Sequence, residues 1–525
     1  MSNVMNTVFH KRVLASAACT ALAFANLASA ADWTMWGRTP NRNMIAEEKN
    51  PPIEWSVGED PVKPGDGKNI KWEMQLGSQS YGNMIVSDGI VWVGTNNEAH
   101  YEPNFTADGG ALLAFRESDG KFLYQRYSPK LAAGRVNDWP FQGICASPYV
   151  EGDRLWYTTS RCEVVCLDVS ALKQGNGAPS EVWKLDMMEQ LGVFPHNMTS
   201  SAVVAYKDLI YIITGNGVDD THKNIPSPQA PSIICVNKNT GKVVWSDNSP
   251  GNGILHGQWS SPAVAEVNGK AQVIAPLGDG WIYGYDAETG KVIWKFDSNR
   301  KETIYPTTRN ELIATPVIVD NKMYIANGQD PEHGEGVGHL WCVDITKTGD
   351  LSAELPGQEL QEATERQAEL LVPEGAVKPR KGKPNPNSAV VWSYESHGKP
   401  DKRGRIKRAD RMNRTISTVS VYNGLVFAPD FSGFLHCLDA ATGQHYWAHD
   451  MEGAMWGSPL AVDGKVYICD EEGDVAIFNA SKAEDAAEPI ATHNMGSAAY
   501  CSPIFSNGVL YIMNRERLFA IESPK

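Results

Sequence analysis

The chain has 525 residues, of which 42% are hydrophobic and 16 are tryptophan, so it is long and apolar enough to bury a large core or several stacked small ones. Its formal net charge of −15 at pH 7 argues against nucleic acid as a partner, because phosphates attract basic surfaces. No stretch after the first 30 residues approaches the roughly 20 apolar residues of a membrane-spanning helix, so we expect no transmembrane segment.

The first 30 residues have the pattern of a secretory signal peptide. Basic residues at 10–12 precede an apolar stretch at 13–27, and Ala28-Ser29-Ala30 forms a small-residue cleavage site. We therefore expect an exported protein, periplasmic or extracellular. Residues 31–69 are assigned to an N-terminal extension.

Residues 258–296 have the pattern of a four-stranded antiparallel sheet. Ser261-Pro262 opens the first apolar run, Asn268-Gly269 forms a hairpin turn, and the fourth run is centred on Trp294. β-branched and aromatic residues dominate the runs, and turn residues separate them. One such sheet cannot bury both of its apolar faces, so the pattern should recur along the chain.

The pattern recurs in eight modules, each opened by a small polar residue. These openings are Asn83-Met84, Ser147-Pro148, Ser201-Ala202, Ser261-Pro262, Thr315-Pro316, Thr418-Val419, Ser458-Pro459 and Ser502-Pro503. The eighth module lacks a fourth strand, whereas an unassigned strand centred on Trp72 precedes the first module. A ring closed by this N-terminal strand accounts for both facts. We predict an all-β fold, an eight-bladed β-propeller of four-stranded antiparallel blades over residues 70–525.

The long connections between strands all fall on one face of the predicted ring, which we call the decorated face. They are residues 94–110, 127–143, 215–231, 247–258, 297–311, 327–339 and 395–414. An insertion in blade five, residues 347–389, is predicted on the opposite face, with a polar helix at 358–371 and a basic, proline-rich linker at 377–387. Because functional residues concentrate on loops held by a rigid scaffold, we expect the site on the decorated face.

The repeats share a turn-and-strand motif, xDxxTGKxxW, which reads YDAETGKVIW in the module that ends at Trp294. It resembles the tryptophan-docking motif of the quinoprotein-like, or PQQ-repeat, β-propellers. That family includes pyrroloquinoline-quinone (PQQ) dependent alcohol and sugar dehydrogenases and non-enzymatic outer-membrane-assembly propellers. The resemblance covers residues 70–525 and implies that Trp245 and Trp294 pack between neighbouring blades. PQQ and Ca²⁺ are the cofactors that it implies.

Two segments resemble parts of the dehydrogenase site. Asn216, in Thr-Gly-Asn-Gly, matches an asparagine that contributes to the calcium and quinone site of the family, although a loop-turn asparagine is the alternative. Residues 255–260 match the segment that carries the family's catalytic aspartate, but Gly257 stands at the position of that base. Glycine cannot abstract a proton, and the family's adjacent-cysteine disulfide is also missing. We therefore expect no dehydrogenation by the usual mechanism.

Eight side chains, one before each first strand, should surround the mouth of the central channel. They are Tyr81, Cys145, Thr199, Trp259, Ile313, Ile416, Trp456 and Tyr500. The four aromatic rings can stack a planar ligand, or they can plug the channel as core. The candidate cofactor-binding residues are Asn216, His256, Trp259, Trp456 and Tyr500.

Histidines and acids gather on the decorated-face loops. They are His196, Asp219, Asp220, His222, His256, Asp330, Glu332, His333, Glu335 and His339. Imidazoles and carboxylates can hold a divalent cation, and the candidate metal ligands are Asn216, Glu332, His333 and His339. Their spacing matches no compact metal motif, so solvated loop side chains are the alternative.

Two further groups of residues carry weaker signals. A basic run, with Lys402, Arg403, Arg405, Lys407, Arg408, Arg411 and Arg414, can hold an anionic partner or balance nearby acids. Cys166, Cys235, Cys342 and Cys437 share one repeat position and are expected to be buried thiols beyond disulfide reach. Pairing among Cys145, Cys162, Cys469 and Cys501 is left open.

The leading functional hypothesis is an exported propeller that binds a small-molecule or protein ligand on its decorated face without catalysis. The alternative is a PQQ-dependent alcohol or sugar dehydrogenase in which Asp219, Asp220 or Glu332 replaces the missing base. A third class, a hydrolase or lyase, requires a paired carboxylate or metal constellation that the sequence alone does not locate.

Overall fold

The computed structural model describes residues 32–58, 67–370 and 372–524, so the predicted signal peptide lies outside the described residues. The described residues form eight antiparallel sheets of four propeller strands each, which confirms the predicted eight-bladed β-propeller. Within each blade the strands are hydrogen-bonded in the order first, second, third, fourth, from the channel outward.

The strand bounds of the first four blades are as follows. Blade one has Ile85–Ser87, Ile90–Asn96, Gly109–Arg116 and Phe122–Pro129. Blade two has Tyr149–Glu151, Arg154–Thr158, Glu163–Asp168 and Ser180–Asp186. Blade three has Val204–Tyr206, Leu209–Ile213, Ile233–Asn237 and Val243–Asp247. Blade four has Ala263–Val267, Lys270–Pro276, Trp281–Asp286 and Val292–Asp297.

The other four blades complete the ring. Blade five has Val317–Val319, Lys322–Ala326, Leu340–Asp344 and Val390–Tyr394. Blade six has Ser420–Tyr422, Leu425–Pro429, Phe434–Asp439 and His445–Asp450. Blade seven has Leu460–Val462, Lys465–Cys469, Asp474–Asn479 and Ala491–Asn494. Blade eight has Ile504–Ser506, Val509–Met513, Arg517–Glu522 and the N-terminal strand Ile70–Gln75.

Helices are short and lie in the connections. The α-helices are Ser170–Lys173, Met187–Leu191 and Gln361–Ala368. The 3-10 turns are Asn97–Ala99, Gly134–Val136, Gly251–Gly253, Pro331–His333, Arg408–Asp410 and Glu484–Ala487. No helix of the described residues is long and apolar enough to cross a membrane.

Burial along the strands follows from the stacking of the blades. The third strand of blade three, Ile233–Asn237, is buried on both faces because neighbouring blades cover it. The fourth strand, Val243–Asp247, lies at the rim and alternates between half-buried and exposed residues. Apolar runs therefore mark the inner strands, and alternation marks the outer strand.

Tryptophans of the fourth strands dock each blade onto the next. The indole N–H groups of five of them donate to a backbone carbonyl of the following blade at 2.9–3.0 Å: Trp72, Trp183, Trp245, Trp392 and Trp447. Gly290 shows why the motif requires glycine, since it has φ +71° and an added Cβ would lie 2.6 Å from the Trp245 ring. Trp294 differs, because its indole donates to Gln272 of its own blade while the ring packs among blade-five residues.

Small polar residues at the first strands link the blades around the channel. The backbone N–H of one first strand donates to the next blade's side-chain oxygen in the pairs Ala202–Ser261, Thr315–Thr418, Thr418–Ser458, Ser458–Ser502 and Ser502–Asn83. The last bond, 2.7 Å long, joins blade eight to blade one. These five bonds explain why Ser, Thr or Asn opens the modules that accept them.

The N-terminal strand closes the ring as predicted. Ile70–Gln75 pairs antiparallel with Arg517–Glu522, with Trp72 opposite Ala520. The indole of Trp72 then docks on the carbonyl of Glu117 in blade one at 2.9 Å.

Residues 32–58 cross the end of the channel opposite the decorated face. They form backbone hydrogen bonds with the first strands of blades one, two, four, five and seven, from Val86 to Ala461. Arg42 is fully buried and donates to the carbonyl oxygens of Trp36, Ala202 and Pro262. The segment therefore forms a floor under the channel.

The insertion of blade five follows a path that the sequence analysis did not predict. It begins on the opposite face, but Gly349–Asp350 pairs parallel with Val292–Asp297 and carries the chain along blade four towards the decorated face. There the amide of Glu374 donates to the carbonyl of Lys223. The predicted linker at 377–387 was wrong, since Arg380–Pro384 is a strand paired with Glu354–Glu359, whereas the helix Gln361–Ala368 lies within the predicted helical range.

Candidate functional site

The decorated face opens into a cavity of about 240 Å³ at the channel mouth. Seven of the eight mouth residues line it: Tyr81, Cys145, Trp259, Ile313, Ile416, Trp456 and Tyr500. The eighth, Thr199, is buried and donates to the carbonyl of Thr214. Trp36 of the floor segment also reaches the lining. The aromatic residues therefore surround an open cavity and do not plug the channel.

The aromatic residues form two walls. On one side the ring of Tyr81 stacks on Tyr500 at 4.9 Å, and Trp456 meets Tyr500 edge-on at the same distance. Trp259 comes from blade four, which lies opposite blade eight in the ring, and its indole donates to the carbonyl of His196 at 3.0 Å. The indole of Trp456 donates to Glu471 at 3.2 Å. These bonds fix both tryptophans, so the cavity walls are preorganised.

Gly257 packs directly against one of these walls. An added Cβ at Gly257 would collide with the six-membered ring of Trp259. The position at which the resemblance places a catalytic aspartate therefore has no room for a side chain while Trp259 keeps its place.

A cluster of histidines and glutamates lies beside the cavity, built from five decorated-face connections. Its members are His196, His222, His256, Glu311, Glu332 and His333, which we call the histidine cluster. Three overlapping triads place their ligand atoms within 4.8 Å of one another: His196–His222–His256, His222–Glu332–His333 and His256–Glu311–His333. The neighbouring residues Asp330 and Pro331 line the cavity, so the cluster and the cavity share a wall.

Glu332 lies at the centre of the outer part of the cluster. Its Oε1 atom lies 3.3 Å from His256 Nε2, 3.5 Å from His222 Nδ1 and 3.7 Å from His333 Nε2. Glu311 Oε1 lies deeper, 3.6 Å from His256 Nδ1 and 3.7 Å from His333 Nδ1. Each carboxylate therefore faces several imidazole nitrogens at once.

Several polar atoms of the cluster lack hydrogen bonds despite their burial. Both ring nitrogens of His256, Nδ1 of His333 and Oε2 of Glu311 have no hydrogen-bond partner among the described residues. The side chain of His256 is fully buried. An unpartnered buried polar atom costs about 1–3 kcal/mol, so this concentration at one place is a sign of function.

Burial shifts the pKa values of several side chains in and beside the cluster. It lowers the pKa of His196 to about 3 and the pKa values of His256 and His333 to about 4, with neighbouring histidines adding to the shift. Burial also raises the pKa of Glu311 to about 7 and that of Asp330 to about 6. The imidazoles of His196, His256 and His333 are therefore neutral at pH 7 and have lone pairs available.

The loops around the cluster are held by backbone contacts. Nδ1 of His196 donates to the carbonyl of Val218 at 2.8 Å, which leaves Nε2 as the acceptor. At Gly217 an added Cβ would lie 2.6 Å from the His196 side chain and 2.7 Å from the His256 carbonyl, so only glycine allows these loops to meet. The nearly buried Arg414 donates to the carbonyls of His333 and Gly334, which holds the third loop in place.

Other predicted site residues lie outside the cluster. Asn216 accepts from the amide of Phe194 and donates to the carbonyl of Ser227, so its side chain supports the loop. His339 lies beside Glu395, 3.6 Å away, and stacks on Trp341. Although burial opposes it, hydrogen bonds from Thr221 and Asn224 lower the pKa of Asp219 to about 2, which makes it a poor base.

Glu311 is a cluster member that the sequence analysis missed. It occupies in blade five the repeat position that Gly257 occupies in blade four, five residues before the first-strand proline. A register comparison of the modules would have singled it out.

Residues of the basic run pair with acids, and the cysteines are free thiols. Arg405 pairs with Asp401, Arg408 pairs with Glu335, and Arg414 is nearly buried, so much of the run balances local acids.

The eight cysteines of the described residues are free thiols, seven of them buried. The four at the shared repeat position are among the buried ones, as predicted.

The calcium–quinone arrangement implied by the resemblance does not fit these residues. Ca²⁺ takes oxygen ligands, whereas this cluster presents four imidazoles and the amide of Asn216 is engaged with backbone atoms. No step of a quinone reaction can be assigned to the residues of this site.

Comparison with known proteins agrees with the repeat pattern. A family model of PQQ-type repeats, described as "Outer membrane protein assembly factor BamB", matches residues 227–364 and 384–522, more than half of the chain. The chain belongs to this PQQ-repeat β-propeller family. A BamB protein of Shewanella oneidensis is 29% identical over 70 residues, which is 13% of this chain and 18% of that protein. The match thus spans less than a fifth of the length of that relative.

Solved structures of the PQQ-repeat family share the fold. BamB from Moraxella catarrhalis is 13% identical with a TM-score of 0.50, and the match covers 86% of this chain and 97% of that one. Quinohemoprotein alcohol dehydrogenase from Comamonas testosteroni is 14% identical with a TM-score of 0.57, over 94% and 81% of the two chains. A europium-containing methanol dehydrogenase is 12% identical with a TM-score of 0.56, over 92% and 89%. At these identities the likeness shows the fold alone.

Proposed function

We propose that this PQQ-repeat propeller is an exported binding protein that takes a small planar ligand into its mouth cavity and does not catalyse quinone-dependent oxidation. The observation that carries the proposal is the open cavity of about 240 Å³ between two fixed aromatic walls. Ligand pockets in proteins are concave and aromatic-lined, with a few polar groups that orient the ligand.

The glycine at the position of the family's catalytic aspartate supports a binding role over dehydrogenation by the usual mechanism. Gly257 replaces the aspartate of the dehydrogenase segment, and the ring of Trp259 occupies the adjoining space. Of the acids considered as replacements, Asp219 is held by hydrogen bonds within its own loop. Glu332 faces three histidines in the cluster.

Export is supported by the signal-like pattern of residues 1–30 and by the family description, which refers to outer membrane protein assembly. Mass spectrometry of the protein from the periplasm or medium should give an N-terminus at Ala31. Intact residues 1–30 on a cytoplasmic protein would contradict export.

The binding proposal is tested by tryptophan-fluorescence titration with PQQ and with FMN, two planar aromatic probes. We expect quenching that saturates, and an affinity about tenfold weaker for Trp259→Ala, since about 1.4 kcal/mol of stacking is lost. The matched control is Trp281→Ala, a half-buried tryptophan outside the cavity lining that packs beside Lys295 and Lys301. It should leave the affinity unchanged.

Two outcomes would overturn the proposal. Equal effects of Trp259→Ala and Trp281→Ala, or no saturable binding of either probe, would reject the cavity as a site for planar ligands. Robust calcium-dependent dye reduction with a simple alcohol after loading with PQQ would favour the dehydrogenase alternative.

A further inference from the structure

We infer that the histidine cluster is a binding site for one divalent transition-metal ion, with His222, His256, His333 and Glu332 as ligands. This site is distinct from the aromatic cavity beside it, and the inference does not depend on what the cavity binds.

The distances from Glu332 to three imidazole nitrogens fit four-coordinate metal binding. Metal–nitrogen and metal–oxygen bonds of about 2.0–2.1 Å place neighbouring ligand atoms of a tetrahedron about 3.4 Å apart. Glu332 Oε1 lies 3.3, 3.5 and 3.7 Å from the facing nitrogens of His256, His222 and His333. His222, Glu332 and His333 form one triad with ligand atoms within 4.8 Å of one another, and His256 is added through its approach to Glu332.

The unpartnered atoms point to the same conclusion. His256 is fully buried, yet neither of its nitrogens has a hydrogen bond among the described residues. A metal ion bonded to Nε2 satisfies one of them, and Glu311, 3.6 Å from Nδ1, is placed to orient the ring. Carboxylates that hold the second nitrogen of a metal-binding histidine are a common feature of zinc sites.

The donor atoms define the class of metal. Imidazole ligands suit Zn²⁺, Cu²⁺, Ni²⁺ and Fe²⁺, whereas Ca²⁺ and Mg²⁺ take oxygen ligands. Three imidazoles with one carboxylate therefore favour a transition metal.

Contacts between the loops hold these side chains close together. Gly217 lets the loops of His196 and His256 touch, and Arg414 ties down the loop that carries His333. His196 lies next to the four proposed ligands but is not one of them. The centre of its ring lies 4.4 Å from that of His256.

The test uses the full-length protein, stripped with a chelator and titrated with Co²⁺ and then with Zn²⁺. We expect one equivalent of Co²⁺ to give the visible d–d spectrum of a four-coordinate site, and Zn²⁺ to displace it. Glu332→Gln and His256→Ala should each weaken Zn²⁺ binding by at least tenfold in calorimetry. His339→Ala removes a buried histidine outside the cluster and serves as the matched control, with unchanged affinity.

A second variant separates the loss of a metal-binding side chain from a loss of folding stability. His222 is partly exposed, so His222→Ala should fold normally, weaken Zn²⁺ binding and reduce the rise in melting temperature that Zn²⁺ causes. The inference is rejected if stripped protein binds no stoichiometric Co²⁺ or Zn²⁺. It is also rejected if His339→Ala matches the cluster variants, or if Ca²⁺ competes as well as Zn²⁺.

Discussion

Trp294 lies between blades four and five with its side chain fully buried. Its indole donates to Gln272 at 2.7 Å, and its ring belongs to a cluster with Trp341 and Val343 of blade five. Trp294→Ala should lower the free energy of unfolding by about 3–5 kcal/mol, because a large cavity and an unpaired amide oxygen remain. Denaturant titration measures this loss. A loss below about 1 kcal/mol would show that the tryptophan is not part of the interblade core.

Asp279 is a buried carboxyl whose ionisation should make stability depend on pH. It accepts hydrogen bonds from the hydroxyl of Tyr283 and the amide of Trp281, but burial outweighs them and raises its pKa to about 6 from 3.8. The folded state therefore keeps the proton that the unfolded state releases, and this contribution to stability is lost as pH rises from about 4 to 6.

The variant Asp279→Asn isolates this effect. Relative to the variant, the wild type should lose about 3 kcal/mol or less of unfolding free energy between pH 4 and pH 7, with no further change above pH 7. Denaturant titrations of both proteins across this range provide the measurement. A difference between them that does not change with pH would contradict the assignment.

At the scale of elements, the insertion of blade five has an anchored base at residues 351–354 and an exposed tip around Glu374. Leu351 is fully buried, the hydroxyl of Ser352 accepts from the amide of Asp297, and Glu354 accepts from the amide of Lys301. The tip, in contrast, reaches the decorated face through the bond from Glu374 to Lys223, next to His222. The base therefore belongs to the core of blade four, whereas the tip supports a loop of the candidate site.

Replacing residues 357–382 by a short Gly-Ser linker should change the unfolding free energy by less than about 1 kcal/mol, because few buried apolar side chains are lost. Hydrogen exchange of the backbone amides of residues 220–224 should become faster, because the hydrogen bond from Glu374 to Lys223 is removed. Removing residues 349–389 instead takes Leu351 away and should cost several kcal/mol. Equal stability of the two deletions would show that the base is not anchored.

At the scale of the whole molecule, the ring depends on strands from the two ends of the chain. Without residues 32–76, blade eight keeps three strands and exposes the edge of Arg517–Glu522, and the channel loses its floor. We expect this deletion to aggregate, because an exposed strand edge pairs with other chains. Light scattering and thermal melting measure this, and a monomer with an unchanged melting temperature would refute the closure by the N-terminal strand.

Much of this architecture could be predicted from the sequence because each blade is built from neighbouring residues. The Asn268-Gly269 turn, the apolar runs and Trp294 define a local meander whose recurrence implies a ring. The unassigned strand centred on Trp72 implies that the N-terminal segment closes the ring. The positions of Trp259, Trp456 and Tyr500 at the mouth also follow, since repeat register places one residue per blade there.

The tertiary structure alone decided which of the loop residues meet. His196 and His256 share a repeat position, but the inclusion of Glu311 and the exclusion of His339 and Asn216 depend on loop paths that no periodic pattern specifies. The cavity lining also includes Trp36 of residues 32–58, which no periodic pattern places there. Strand pairing is set by local alternation of side chains, whereas the convergence of side chains from five connections is set by packing between distant segments.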